Sequence, residues 1–210
     1  FPFVCLAVVV YSFVESVHAL LPGPDERGSL LDAHAVERDR FVLSTFHRPE
    51  NVDDPDRLTV ILEQLASLPV PVILPVHPRL AARVDGFGLR PLLDRLRPVA
   101  PLGYQEFLGL FAEAALAVSD SGGVQEEASV VKRPVVVVRR STERPEVLGT
   151  FSVLAAVGAE IADAAAAWLG DPAAVHTRLS ALASPYGDGS ASRQALDAMA
   201  HMHLLAERPK

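Results

Sequence analysis

The sequence predicts an α/β fold built on a doubly wound parallel sheet, and three observations carry that prediction. Short apolar runs alternate with helix-period stretches up to Val138, the signature of βαβ units. His–Arg and Ser–Gly–Gly clusters follow directly on apolar runs, where open α/β sheets bind ligands. Half of the 210 residues are apolar, enough for one well-buried core and too few for two large domains.

The elements follow in order. Phe1–Val10 is apolar, begins without Met and has no basic residues ahead of it, so it is a poor signal peptide. The run is also shorter than the ~17–25 residues of a membrane helix, and it reads as a buried strand in a chain whose beginning is missing. Pro22–Gly28 is rich in turn residues and reads as a loop or domain junction. Strands are expected at Phe41–Thr45 and Val70–Val76, flanking a helix from about Pro55 to Ser67. Asp54 caps that helix and Pro55 suits its first position. Further strands are expected near Arg97–Pro101, Ala115–Ser119 and Pro134–Val138, with a helix over Gln105–Glu113. Beyond Gly158 the chain reads as helices Ala159–Leu169 and Pro172–Ala183, a turn at Ser184–Gly189 and a last helix to about Leu205. The expected organisation is residues 1–28 as remnant strand and linker, 29–183 as the sheet domain and 184–210 as a closing helix.

Composition excludes several classes. With 26 acidic and 19 basic residues the net charge is −7, so no broad cationic footprint awaits a nucleic-acid backbone or an anionic membrane. Cys5 is the only cysteine, which excludes an internal disulfide and a Cys-based zinc site and fits a reducing cytoplasm. His201 and His203 are spaced i, i+2 and point to different helix faces, so no metal site is expected. No Gly-x-Gly-x-x-Gly occurs, and a nicotinamide lacks its backbone cradle.

The most informative stretch is Asp120-Ser-Gly-Gly-Val-Gln-Glu-Glu127. Gly122 and Gly123 let a ligand approach the backbone. The helix that starts there has unpartnered amides and a positive dipole end, which together favour an anion such as a diphosphate. Glu126 and Glu127 lie roughly 100° apart on that helix, so one is expected to face the ligand and the other to be solvated. A carboxylate beside a phosphate site suits ribose hydroxyls, which points to a nucleotide. His47, Arg48, His77 and Arg79 follow two other strands and are expected to converge on Ser121–Gly123.

These residues also carry a resemblance. Thr45-Phe-His-Arg-Pro-Glu-Asn51, His77-Pro78, Asp120–Glu127, Thr142-Glu-Arg-Pro-Glu146, Gly149-Thr150 and Pro185-Tyr-Gly-Asp-Gly189 together resemble the non-hydrolysing UDP-N-acetylglucosamine 2-epimerases. The resemblance covers about residues 40 to 200. It implies the carboxyl-terminal Rossmann-like half of a two-domain, glycosyltransferase-B-like enzyme, active in the cleft between halves. It implies inversion at C2 of the sugar by elimination of UDP and its re-addition, without a nicotinamide or metal cofactor, and a homodimer. Ser121, Gly122 and Gly123 are then expected to hold the diphosphate and Glu127 the ribose. His47 is expected beside the departing phosphate as the catalytic group, with Arg139 and Arg144 as supporting cations. Arg48 and His77 resemble positions that bind a second UDP-sugar as activator in some bacterial members.

Three departures stand out. Arg140 stands where the family commonly has Asp, and Lys132 stands near a helix end where a Gly is usual. The carboxylates thought to move the C2 proton belong to the amino-terminal half and are not in this chain. The His47–Asp53 motif is also similar to members acting on oxidised 2,3-diacetamido sugars, which leaves the sugar open. The alternatives are a glycosyltransferase of the same architecture and a non-catalytic UDP-sugar-binding half-enzyme.

Overall fold

A computed structural model describes residues 13–206, with side chains through residue 200. The strand expected at Phe1–Val10 lies outside the described residues. Six parallel strands form one sheet in the order β3-β2-β1-β4-β5-β6. They are β1 (Val42–Thr45), β2 (Val72–Pro75), β3 (Arg97–Val99), β4 (Leu116–Ser119), β5 (Val135–Val138) and β6 (Ser152–Ala155). The order reverses between β1 and β4, which pair in register from Val42↔Leu116 to Thr45↔Ser119. A crevice at the carboxyl ends of the strands is expected at such a switch point.

Strands β2, β4 and β5 are near-continuous apolar runs because both faces are covered. Alternate residues divide between two cores. Val42, Val72, Leu74, Leu116, Val118, Val136 and Val138 pack with Leu58, Ile61, Leu62 and Leu65 of α4 (Pro55–Ala66), and with Ile161, Ala165 and Trp168 of α9 (Glu160–Leu169). Leu43, Ile73, Ala117, Val135 and Val137 face the other way. They meet Leu108, Leu110 and Phe111 of α7 (Tyr104–Glu113), Val124, Ala128 and Val131 of α8 (Gly122–Val131), and Val14 and Val17 of the first described helix, α1, at residues 13–20. The period of two seen in the contacts is the pleat itself.

Most expected elements occur with ends displaced by a residue or two. Two readings need correction. Pro22–Gly28 is not a loop: α2 spans Pro24–Ala33, with Pro24 in its first turn and the Glu26 carboxylate accepting from Gly23 N at 3.1 Å. Turn-forming residues there serve as a helix start. Arg27 then ties α2 to α7 by donating to Glu113 Oε1 at 2.6 Å. The second correction is β6, an edge strand that the sequence reading passed over; its alternation is broken, with Leu154 exposed. The helix α10 ends at Ser180, short of Ala183. The remaining helices are α3 (Pro49–Val52), α5 (Pro78–Gly86), α6 (Arg90–Leu93) and α11 (Ala191–Ala206).

Candidate functional site

The site grows from Asp120, the residue between β4 and α8. Its side chain is fully buried at the switch point, so its charge needs partners. Four groups supply them. The backbone amides of His47 and Arg48 donate at 3.2 and 3.0 Å, Asn51 Nδ2 donates at 3.1 Å, and His47 Nδ1 lies 3.1 Å from Oδ1. The carboxylate thus pins the turn after β1 to the turn after β4. It also raises the His47 pKa above the usual imidazole range, chiefly through the hydrogen bond between the two side chains. The ring is half-exposed at the strand tips, and the carboxylate beside it favours its protonated form. Asp120 appeared in the sequence as part of the glycine motif, but its role as the joint between two loops needed the pairing of β1 with β4.

Helix α8 opens beside this joint. Ser121 is the N-cap and makes no side-chain cap. Its own N–H is taken by Ser119 Oγ at 3.0 Å, so the amides without a side-chain cap begin at Gly122, one residue later than expected. A Cβ at Gly122 would stand 2.6 Å from Glu143 Oε1, whereas one at Gly123 would make only ordinary contacts. A side chain at the first position would have to displace the Glu143 carboxylate, the far end of a flexible side chain. Glu143 therefore lies over the helix start, where its carboxylate meets Arg139 Nη1 at 2.6 Å and Arg48 Nη2 at 3.3 Å. An internal anion sits among the groups that an external one needs.

The loop after β5 is fastened onto α8 by a chain of hydrogen bonds. Gln125 Nε2 donates to Ser121 O at 3.2 Å, Thr142 Oγ1 donates to Gln125 Oε1 at 2.6 Å, and Arg144 N donates to Thr142 Oγ1 at 3.0 Å. Arg144 also pairs with Glu126. Glu126 is accordingly buried and paired, not solvated as its place on the helix suggested; that reading took the opposite helix face to be open, and the returning loop covers it.

Glu127 is buried too, with Oε2 lacking a hydrogen-bond partner. Burial raises its pKa to about 7, against the lowering effect of the neighbouring Tyr104 phenol; the Glu126 charge adds to the rise. Burial and the Glu127 carboxylate in turn push the Tyr104 phenol up. Tyr104 and Glu143 were missed as site residues because one joins the cluster from the start of α7 and the other from the loop after β5.

Of the predicted residues, His47, Arg48, Ser121, Gly122, Arg139, Arg144 and Glu127 gather around the start of α8. His77 does not join them: it is exposed at the N-cap of α5, with no hydrogen bond or ion pair to the cluster among the described residues. Arg79 is held away by Asp53, so the expected four-way convergence reduces to His47 and Arg48. Among the described residues no group of three or more His, Cys, Asp or Glu is arranged to hold a metal ion.

A parallel sheet with a switch-point crevice, a glycine helix start and clustered cations defines a Rossmann-like domain of the glycosyltransferase-B type. The UDP-N-acetylglucosamine 2-epimerase family profile matches residues 14–200, and the chain belongs to that family. It shares 40% identity over 116 residues with a UDP-2,3-diacetamido-2,3-dideoxy-D-glucuronate 2-epimerase of Pseudomonas aeruginosa, covering 54% of this chain and 32% of that protein. It shares 32% identity over 180 residues with a UDP-N-acetylglucosamine 2-epimerase of Bacillus subtilis, covering 83% of this chain and 47% of that protein. A solved structure of the Methanocaldococcus jannaschii UDP-GlcNAc 2-epimerase with UDP-GlcNAc and UDP superposes with a TM-score of 0.72 at 29% identity, over 90% of this chain and 53% of that one. The chain therefore spans a third to a half of these relatives.

Proposed function

We propose that this chain supplies the UDP-binding half of an enzyme that inverts C2 of a UDP-2-acetamido sugar, UDP-N-acetylglucosamine or an oxidised relative. The single observation that carries the reading is the meeting of the His47–Asp120 pair with the uncapped start of α8 across the β1–β4 switch point. The diphosphate rests against the amides from Gly122 onward, stabilised by the helix dipole. Glu143 moves aside as the ligand takes over Arg139 and Arg48. Glu127, with a free acceptor oxygen, takes the ribose hydroxyls.

His47 carries the chemistry this half can offer. Its imidazolium lies where negative charge grows on the departing diphosphate, and a charge-assisted hydrogen bond there contributes roughly 1.5–3 kcal/mol. The proton at C2 needs separate bases with tuned pKa values. Asp120 and Glu126 are already engaged by donors or a cation and Glu127 is given to the ribose, and on this reading the bases come from the other wall of the cleft. A homodimer of the complete enzyme is part of the same reading.

Two measurements test it. Titrating UDP into the chain while following backbone amides by NMR should move Gly122 to Val124 first, and G122V should abolish the response; an unperturbed helix start sinks the nucleotide assignment. Incubating the complete polypeptide with UDP-N-acetylglucosamine in deuterated water should give a manno product labelled at C2. Sugar transfer to an acceptor without that product would replace the epimerase with a transferase.

A further inference from the structure

Asn51 is fully buried behind the crevice, and a buried amide needs partners for its N–H groups and its carbonyl. Three contacts supply them. Nδ2 donates to Val138 O and to Asp120 Oδ2, each at 3.1 Å, and Oδ1 accepts from Arg57 Nη2 at 2.9 Å. Asn51 stands in α3 directly after β1, Asp120 follows β4 and Val138 closes β5. One side chain thus ties together the ends of three neighbouring strands.

These partners leave the amide one orientation. Arg57 can only donate, whereas a carbonyl and an ionised carboxylate can only accept. A flipped amide would set its oxygen against two acceptors and its N–H groups against a guanidinium. Val138 belongs to the sheet and Arg57 to α4, so both ends of the amide are anchored and one N–H is aimed at Asp120. The cation on Oδ1 also polarises the amide, which strengthens that N–H as a donor.

The Asp120 carboxylate is divided as a result. Oδ2 takes Asn51 Nδ2 at 3.1 Å and Arg48 N at 3.0 Å, while Oδ1 meets His47 through its N–H at 3.2 Å and its Nδ1 at 3.1 Å. In an imidazole, the bond made by one nitrogen sets which nitrogen carries the proton and how the ring is turned. With Nδ1 on Asp120, Nε2 is the nitrogen left for a ligand, and it has no hydrogen-bond partner among the described residues.

We propose that Asn51, oriented by Arg57, is a positioning residue for His47: by holding Oδ2 of Asp120 it reserves Oδ1 for Nδ1, and so turns Nε2 to the departing diphosphate. This rests on the nucleotide-sugar reading above. Asn51 touches no ligand and acts only through the carboxylate.

The test compares the 210-residue chain with N51L, R57M, H47Q and N51L/H47Q. Nitrogen NMR of the imidazole, above its pKa and without ligand, reads the neutral tautomer. In the unmodified protein the proton is expected on Nδ1, and in N51L it should spread over both nitrogens. Calorimetry with UDP at one pH reads the consequence. N51L is expected to bind about tenfold more weakly, as loss of one charge-assisted contact implies. N51L/H47Q should lie within about twofold of H47Q, because both changes act on the same contact. R57M should move both readouts the same way by less, and it decides the matter if N51L does not fold; Arg57 Nε is buried without a partner, so an apolar stem is tolerated there. A residue serving the fold alone gives a different result: fewer binding-competent molecules in N51L, the remainder keeping the unmodified affinity and the Nδ1 tautomer. That outcome, an N51L effect that adds in full to H47Q, or an R57M protein unchanged in both readouts overturns the proposal and leaves the nucleotide reading standing. Absence of UDP binding by the unmodified chain sinks both.

Discussion

At the residue scale, two titrating groups that the proposed function assigns to the nucleotide set a pH window. Glu127, with a pKa of about 7, accepts best when ionised, and His47, raised by Asp120, binds phosphate best when protonated. Affinity for UDP-N-acetylglucosamine, whose esterified diphosphate does not titrate here, should fall on both sides of an optimum. E127Q should flatten the acid limb and H47Q the alkaline limb; calorimetry across pH reads both. Glu127 also bears on stability. Its pKa is raised on folding, so the folded state holds a proton that the unfolded state has lost between pH 4.5 and about 7, and stability falls as pH rises through that window. E127Q should therefore gain on the unmodified protein between pH 5 and pH 8, by on the order of 2–3 kcal/mol, in urea unfolding. Asp120 gives the opposite expectation. D120N removes a buried acceptor of several donors and should cost about 2–4 kcal/mol, with the His47 imidazole returning towards its ordinary pKa by NMR titration.

At the scale of elements, helix α8 ends on Lys132 in the left-handed region, φ 60° and ψ 41°. Glycine usually occupies such a position because a Cβ there is strained by roughly 1–2 kcal/mol. Lysine persists because its amine donates to Leu182 O at 2.7 Å and lies 5.2 Å from the Phe151 ring centre. Comparing two variants that both lack the amine isolates the backbone term: K132G should be more stable than K132A by about 1 kcal/mol. A result with alanine the more stable overturns the strain argument. Elements also show where the sequence was legible. Strands β1, β2, β4 and β5 and helices α4, α7 and α9 were marked by long periodic runs. Helix α2 and strand β6 were not, since α2 buries no residue and β6 lies at the sheet edge. Neither displays the apolar period that burial writes into a sequence.

At the scale of the molecule, the proposed function makes this chain one wall of a cleft. On that reading the cations and the helix start lie in this chain, and the bases for C2 lie on the other wall. The 210-residue chain should thus bind UDP weakly and turn over nothing, while the complete polypeptide epimerises. Robust conversion by the short chain, followed by NMR of the sugar, places the proton-transfer groups here instead. No helix among the described residues is long and apolar enough to cross a membrane. From the sequence alone came the alternation of strand and helix, the glycine helix start and the residue types at the strand ends, because each is written in local order. Which of those ends meet was decided only in three dimensions. Asp120 could be recognised as the joint for His47, Glu143 as the anion over Gly122 and Asn51 as the tie from Asp120 to Val138 only once the sheet had paired strands distant in the chain. Local propensity carries no information about such partners; packing does.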